Sequence, residues 1–223
     1  MPEIGSYIFT MPTASPILEE PDEEIVILKK HVALNHNTPI TTLLNLAKDD
    51  SPLVREAVAC NPTISLEVFT VLSKDYEYAV LRDLALNINA PPEILDYLSR
   101  LSFDNLQYYV AYNNNTSVET LDFMSNSLFS SVRKTVAFNV NCSKDTLTRL
   151  AQDFKYDVRR AVIYNKKVTL PILLAVLDYE RFNKTPFPRN AVHALFTHKL
   201  VTPVIREVMR TLWPENCIIE IIC

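Results

Sequence analysis

One column of asparagines constrains this chain more than any other feature. Asn35, Asn61, Asn87, Asn113, Asn139 and Asn165 recur every 26 residues, and Ala33, Ala59, Ala85, Ala111, Ala137 and Ile163 stand two places before them. A fixed period of this length marks a solenoid, in which each unit buries its apolar face only against its neighbours. Other columns keep the register. Leu43, Phe69, Leu95, Leu121, Leu147 and Leu173 are followed three residues later by Leu46, Leu72, Leu98, Met124, Leu150 and Val176. Val54, Val80, Leu106, Val132 and Val158 are followed four residues later by Val58, Leu84, Val110, Val136 and Val162. Spacings of three and four share one helical face and do not fit a strand. Each unit therefore reads as two short helices, and Leu28, Lys29 and Val32 extend the register upstream as the second helix of a zeroth unit.

Side chains also mark the helix boundaries. Thr38-Pro39 and Ser51-Pro52 place a hydroxyl before a proline suited to the first helical position, while Asp49 and Asp75 close the first helix. The second helix has room for about two turns, which opens part of it to 3₁₀ geometry. The asparagine follows it, where a terminating residue in the left-handed region is expected. Gly usually fills that role, but the chain has a single Gly, and Asn tolerates the conformation next best.

The unit Val54-Arg55-Glu56-Ala57-Val58-Ala59-Cys60-Asn61-Pro62, followed by Leu66, Phe69, Leu72 and Asp75, resembles the leucine-rich repeat variant family. So does Val132-Arg133-Lys134-Thr135-Val136-Ala137-Phe138-Asn139 with Leu147, Leu150, Ala151 and Asp153. The resemblance spans residues 26–178. It implies an all-α, right-handed superhelix of about six to seven repeats, related in shape to HEAT and armadillo arrays. A founding member of that family carries a cysteine cluster for an iron–sulfur centre ahead of its repeats. Here the first cysteine is Cys60, so no cofactor is expected. Two departures stand out: only Asn61 is followed by Pro, and Leu81 and Gln107 replace the arginine in two middle units.

Around the repeats of residues 22–180, residues 1–21 read as an acidic, proline-rich tail. Residues 181–190 read as an insertion loop, and 191–223 as a degenerate capping repeat in which Trp213 and the isoleucines near Cys217 and Cys223 cover the last face. No apolar stretch is long enough to span a bilayer, and the four cysteines lack metal-binding spacing, which suits free thiols in a reducing cytoplasm.

The net charge of −4 conceals a split. Residues 1–130 hold 7 Lys/Arg and 18 Asp/Glu, whereas residues 131–210 hold 15 Lys/Arg and 6 Asp/Glu. In the basic half, Arg133, Lys134, Arg159 and Arg160 fall on successive second helices. Beside them the column before the asparagine changes from Leu34, Cys60 and Leu86 to Tyr112, Phe138 and Tyr164. These seven basic and aromatic residues are the candidate partner-binding set. A cationic row beside an aromatic row suits an acidic peptide, phosphates or stacked single-stranded nucleic acid. A structural role competes for five of them: Arg133 and Arg159 could bond an Asp of an adjoining turn, Asp153 or Asp157, and the aromatics could be core, while Lys134 and Arg160, one residue off, are expected to be free.

Catalytic signals are weak. A lone Gly5 excludes phosphate-cradling loops that need several glycines, and His31, His36, His193 and His198 form no HExxH. No catalytic residue, cofactor or metal is therefore expected. The leading expectation is a non-catalytic, cytoplasmic protein–protein interaction scaffold that offers a concave surface to a protein with an acidic patch or peptide. The alternative is nucleic-acid binding by the basic half, in the manner of HEAT-like DNA-repair glycosylases. A third possibility is that the acidic residues 19–24 occupy the basic face of the same or another molecule.

Overall fold

The computed structural model describes residues 23–103, 105–183, 198–203 and 206. Among them are twelve α-helices and no strand, so the chain is an all-α solenoid of two-helix units. The first helices of the units are α2 (Ile40–Leu46), α4 (Leu66–Leu72), α6 (Pro92–Ser99), α8 (Val118–Met124), α10 (Lys144–Leu150) and α12 (Leu170–Asn183). The second helices are α1 (Glu23–Leu34), α3 (Pro52–Cys60), α5 (Tyr78–Leu86), α7 (Leu106–Tyr112), α9 (Ser130–Phe138) and α11 (Tyr156–Tyr164).

Each second helix packs on the next along the series α1, α3, α5, α7, α9 and α11. The first helices form the other layer, and the core fills the space between. Leu43, Phe69, Leu95, Leu121, Leu147 and Leu173 are all buried there, as are Val58, Leu84, Val110, Val136 and Val162. Each such side chain contributes roughly 1.5–3 kcal/mol by leaving water, and none could do so in an isolated unit.

Several boundary expectations need correction. The second helices are α-helical, and no described residue is 3₁₀-helical, because the registered apolar columns let even the shortest, α7 with 7 residues, dock as about two α-turns. Thr38 is not a cap: its hydroxyl donates to the Val32 carbonyl, while α2 begins after Pro39. Ser51 does precede Pro52 at the start of α3, without a side-chain capping bond. Serine caps sit elsewhere: the Ser65, Ser117 and Ser143 hydroxyls accept from the Val68, Thr120 and Thr146 amides and start α4, α8 and α10. Asp49, Asp75 and Asp153 turn the chain between helices by accepting the amide two residues on. At the corresponding place in the last unit Tyr179 replaces Asp, and α12 runs on to Asn183.

The asparagine column is not left-handed either. Asn61, Asn87, Asn113, Asn139 and Asn165 are all extended, with φ between −73° and −61°. Among the described residues only Asn105 has a positive φ. What the column supplies is its amide. The Asn61 Nδ2 donates to the carbonyls of Ala33 and Asn35 in the preceding unit, and Asn87, Asn113, Asn139 and Asn165 repeat the bridge one unit further each time. Each Oδ1 accepts the amide two residues on, shaping the following turn. The last-turn carbonyls of one second helix are thereby satisfied by the next unit, which welds the layer into a ladder.

A second ladder runs beside the first. Asn89, Asn115 and Asn141 donate to the carbonyls of Pro62, Ile88 and Asn114, and Lys167 takes that place in the last unit by donating to Cys142. Most of the insertion and capping segments expected at 181–190 and 191–223, including Trp213, Cys217 and Cys223, lies outside the described residues, as do residues 1–21.

Candidate functional site

With one side of each second helix committed to the core, the other side is presented along the stack. Residues four apart share that side, so Tyr108 with Tyr112, Lys134 with Phe138, and Arg160 with Tyr164 form three adjacent pairs on α7, α9 and α11. Tyr112 is 64% exposed, Phe138 47% and Tyr164 52%, so this aromatic column is surface and not core. Lys134 is exposed and makes no ion pair among the described residues. The Arg160 guanidinium lies over the Tyr164 ring, 5.8 Å from its centre, which holds the cation beside an apolar plane. Between Tyr112 and Phe138 a groove of about 220 Å³ is floored by Ala111, Thr135 and the buried Asn139 and rimmed by Asn114.

The same groove recurs two units earlier. There Cys60 and Leu86 take the places of Tyr112 and Phe138, and Pro62, Asp83 and Ile88 complete a groove of about 370 Å³. Its surroundings are net negative, since the single cation Arg82 bridges two carboxylates, Glu56 at 2.8 Å and Asp83 at 2.7 Å. The Cys60 thiol is pushed up to about 12 by burial of the sulfur and by the Asp83 carboxylate, so it is a poor nucleophile at neutral pH. Cys142, buried in the core, is likewise pushed up to about 12 by burial.

Arg133 and Arg159 are not on this face. They are 5% and 2% exposed and point away from it, toward the turns between helices. Arg133 forms a two-pronged pair with Asp153, at 2.6 and 3.0 Å, and also donates to the carbonyls of Ser127 and Leu128. Arg159 donates to the Asp153 carbonyl and lies over the Tyr179 ring at 4.7 Å. Of the seven candidates, the structure thus brings together Lys134, Arg160, Tyr112, Phe138 and Tyr164 and places the two arginines elsewhere. The reason is helical: 133 and 159 are one position back from the exposed stripe, a rotation of about 100°.

The buried arginines belong to a column whose partner lies 20 residues on, and in the middle units the two vary together. Lys29 pairs with Asp49, Arg55 with Asp75 and Arg133 with Asp153. Where Gln107 replaces the arginine, its partner is Ser127, whose hydroxyl donates to the amide oxygen at 3.0 Å. Where Leu81 replaces it, position 101 is Leu, packed against the same core. Aromatic rings cover the outer faces of these guanidinium groups, Tyr76 on Arg55 and Phe154 on Arg133. The family departures at Leu81 and Gln107 are therefore compensated exchanges in a structural site. The spacing of 20 was present in the sequence as a column-to-column pattern that single-unit reading passes over.

Among the described residues no group of three His, Cys, Asp or Glu is placed to hold a metal ion. No described helix is long and apolar enough to cross a membrane. His31 and His36 are exposed, and His193 lies outside the described residues.

No family model matches this chain, and no curated protein does. Among solved structures it is similar to one described as a leucine-rich repeat variant with a novel repetitive protein structural motif. The TM-score is 0.58 at 24% sequence identity, over 82% of this chain and 69% of that one. The likeness is one of fold: a helical repeat array of the leucine-rich repeat variant kind.

Proposed function

We propose that this chain is a non-catalytic protein-binding scaffold whose second-helix face receives an extended, acidic peptide segment of its partner. The observation that carries this reading is the exposed row of Tyr112, Phe138 and Tyr164, with Lys134 beside Phe138 on α9 and Arg160 beside Tyr164 one step further along the stack on α11. Rings already standing in water lose little freedom on binding and offer large apolar area, and the neighbouring cations steer an acidic ligand. The second helices contact one another more extensively than the first helices do. In a bent two-layer stack the closer layer lies on the inside, and this supports reading the second-helix face as the concave one, suited to a partner laid along it.

The basic row is short. Beyond Lys134 and Arg160 the face runs into an acidic half, where Arg82 is outnumbered by Glu56 and Asp83. A single-stranded nucleic acid needs positive charge along its whole track, and an acidic segment with apolar anchors needs it only at one end. Selection from a random peptide library on the immobilised chain tests this. Enriched peptides should combine aromatic or aliphatic residues with a cluster of Asp and Glu, and their affinity should fall about tenfold or more on Lys134→Glu with Arg160→Glu. Absence of enrichment, together with salt-sensitive binding of labelled oligo(dT) by the unmodified chain, overturns the proposal in favour of nucleic acid.

A further inference from the structure

We infer that the occupant of this face is the segment of residues 1–22 of a second copy of the chain, so that molecules associate head to tail. The inference rests on the reading of the face as a peptide-binding surface and names a ligand for it. Two complementarities and one length carry the argument.

The first complementarity is of order. Along the face an apolar, slightly acidic stretch around Cys60, Leu86 and Ile88 is followed by the aromatic and basic stretch around Phe138, Lys134 and Arg160. The segment has the same two blocks: apolar Tyr7, Ile8, Phe9, Ile17 and Leu18, then acidic Glu19, Glu20 and Asp22. Leu18 matches the groove between Tyr112 and Phe138 with the acids beside Lys134 and Arg160. Tyr7 to Phe9 then lie toward the earlier groove. Side-by-side helices are spaced by about 8–10 Å, so the two grooves are roughly 16–20 Å apart. Nine residues extend up to about 30 Å, enough to cover the interval even with bends at Pro12 and Pro16. The second complementarity is of charge, between the acidic residues 1–130 and the basic residues 131–210.

The length excludes the same molecule. Glu19 precedes the start of α1 at Glu23 by four residues, a reach of about 14 Å. Lys134 on α9 and Arg160 on α11 stand four and five units further along the stack, about 32–50 Å away. The acids of one chain therefore cannot meet its own cations, whereas those of a second copy, arriving from beyond α11, can. Because the donated segment and the receiving face are different surfaces, the contact does not close on itself and the assembly grows with concentration.

Light scattering on the full chain over a range of concentrations, with anisotropy of a labelled peptide of residues 1–24, tests the inference. We expect average mass to rise with concentration at low salt and to fall back to monomer at high salt. Reversing Lys134→Glu with Arg160→Glu should weaken peptide binding about tenfold or more, and a peptide carrying Glu19→Lys and Glu20→Lys should restore it. Because Lys134 is exposed and Arg160 lies on the same stripe, circular dichroism should be unchanged in the double variant. A monomer at every concentration, or a peptide affinity indifferent to either reversal, overturns the inference. If library-selected peptides bind the face and residues 1–24 do not, this inference falls while the proposed function stands; if neither binds, both fall.

Discussion

Replacing Asn113 separates the two roles an asparagine could play at the end of a second helix. Its Nδ2 donates to the carbonyls of Ala85 at 2.8 Å and Asn87 at 2.9 Å, and its Oδ1 accepts the Asn115 amide at 2.8 Å. In Asn113→Ala, the Ala85 carbonyl, in the last turn of α5, loses this partner in a buried place, at a cost of about 1–3 kcal/mol. The Asn87 carbonyl keeps the Ala90 amide and loses less. The Asn115 amide, near the surface, turns to water at about 0.5–1.5 kcal/mol. The sum is about 3 kcal/mol, a large share of the stability of a domain this size. Glycine provides the control. If the residue were there to adopt a left-handed conformation, Asn113→Gly would be as stable as the native chain or more so. With φ −71° and ψ 131° it is extended. Glycine then loses the same bonds and adds about 0.5–1 kcal/mol of backbone entropy, falling below alanine. Urea unfolding followed by circular dichroism measures all three chains. Because the rung lies mid-stack, a lowered slope is expected too, as the two halves begin to unfold separately. A glycine variant more stable than the alanine one, or an alanine variant within about 0.5 kcal/mol of the native chain, refutes the ladder as the role of this column.

Asp153→Ala leaves the buried Arg133 guanidinium without its carboxylate and should cost about 3–5 kcal/mol, while Arg133→Leu with Asp153→Leu, which copies positions 81 and 101, should recover most of that loss in urea unfolding. Arg149 and Thr146 hold the Asp122 carboxyl below the usual carboxylate range, as Arg100 chiefly does for Asp96. Folded values below the unfolded one mean stabilisation that is complete above pH ~3.9 and lost as pH falls through the folded values, so thermal midpoints should drop in that acid window and less steeply in Asp122→Asn. Iodoacetamide at neutral pH, read by peptide mapping, should label Cys60 and Cys142 at least about tenfold more slowly in the folded chain than in urea, since both thiols are pushed up to about 12.

The helical pairs, their register and the composition of the core were legible because they rest on period alone: a column that packs must recur wherever the unit recurs. The conformation of the asparagine was not. A terminating residue in a glycine-poor chain has two explanations, backbone freedom or side-chain bonding, and the sequence of one unit cannot separate them. The neighbouring column of Asn89, Asn115 and Asn141, periodic through the middle units, carried the missing information, since two polar columns side by side imply bonding between units. The aromatic column was ambiguous for a related reason. Tyr112 adjoins the buried Ala111, and only the rotation of the helix settles that one faces inward while the other is 64% exposed. For Arg133 the sequence offered Asp153 as a structural partner, and the pair forms; for Arg159 the residue 20 on is Tyr179, which a search for an acidic partner passes over.

The behaviour of the columns under substitution separates support from recognition in a chain that supplies its own alignment. Through the middle units a structural column changes together with its partner: Arg with Asp, Gln with Ser, Leu with Leu. Each exchange keeps a buried site satisfied, so the column has little freedom to encode anything else. The exposed column before the asparagine changes without compensation, from Leu34, Cys60 and Leu86 to Tyr112, Phe138 and Tyr164, although the bonds beneath it are the same in every unit. Stability does not require the change from aliphatic to aromatic, since the same ladder holds under both. A gradient in side-chain chemistry laid over an invariant frame gives the face direction: one end apolar, the other aromatic and cationic. A surface serving only solubility needs no direction, whereas one that receives an extended chain in a single orientation does. That polarity, and not the number of charges, is the strongest reason to regard the second-helix face as a reading surface.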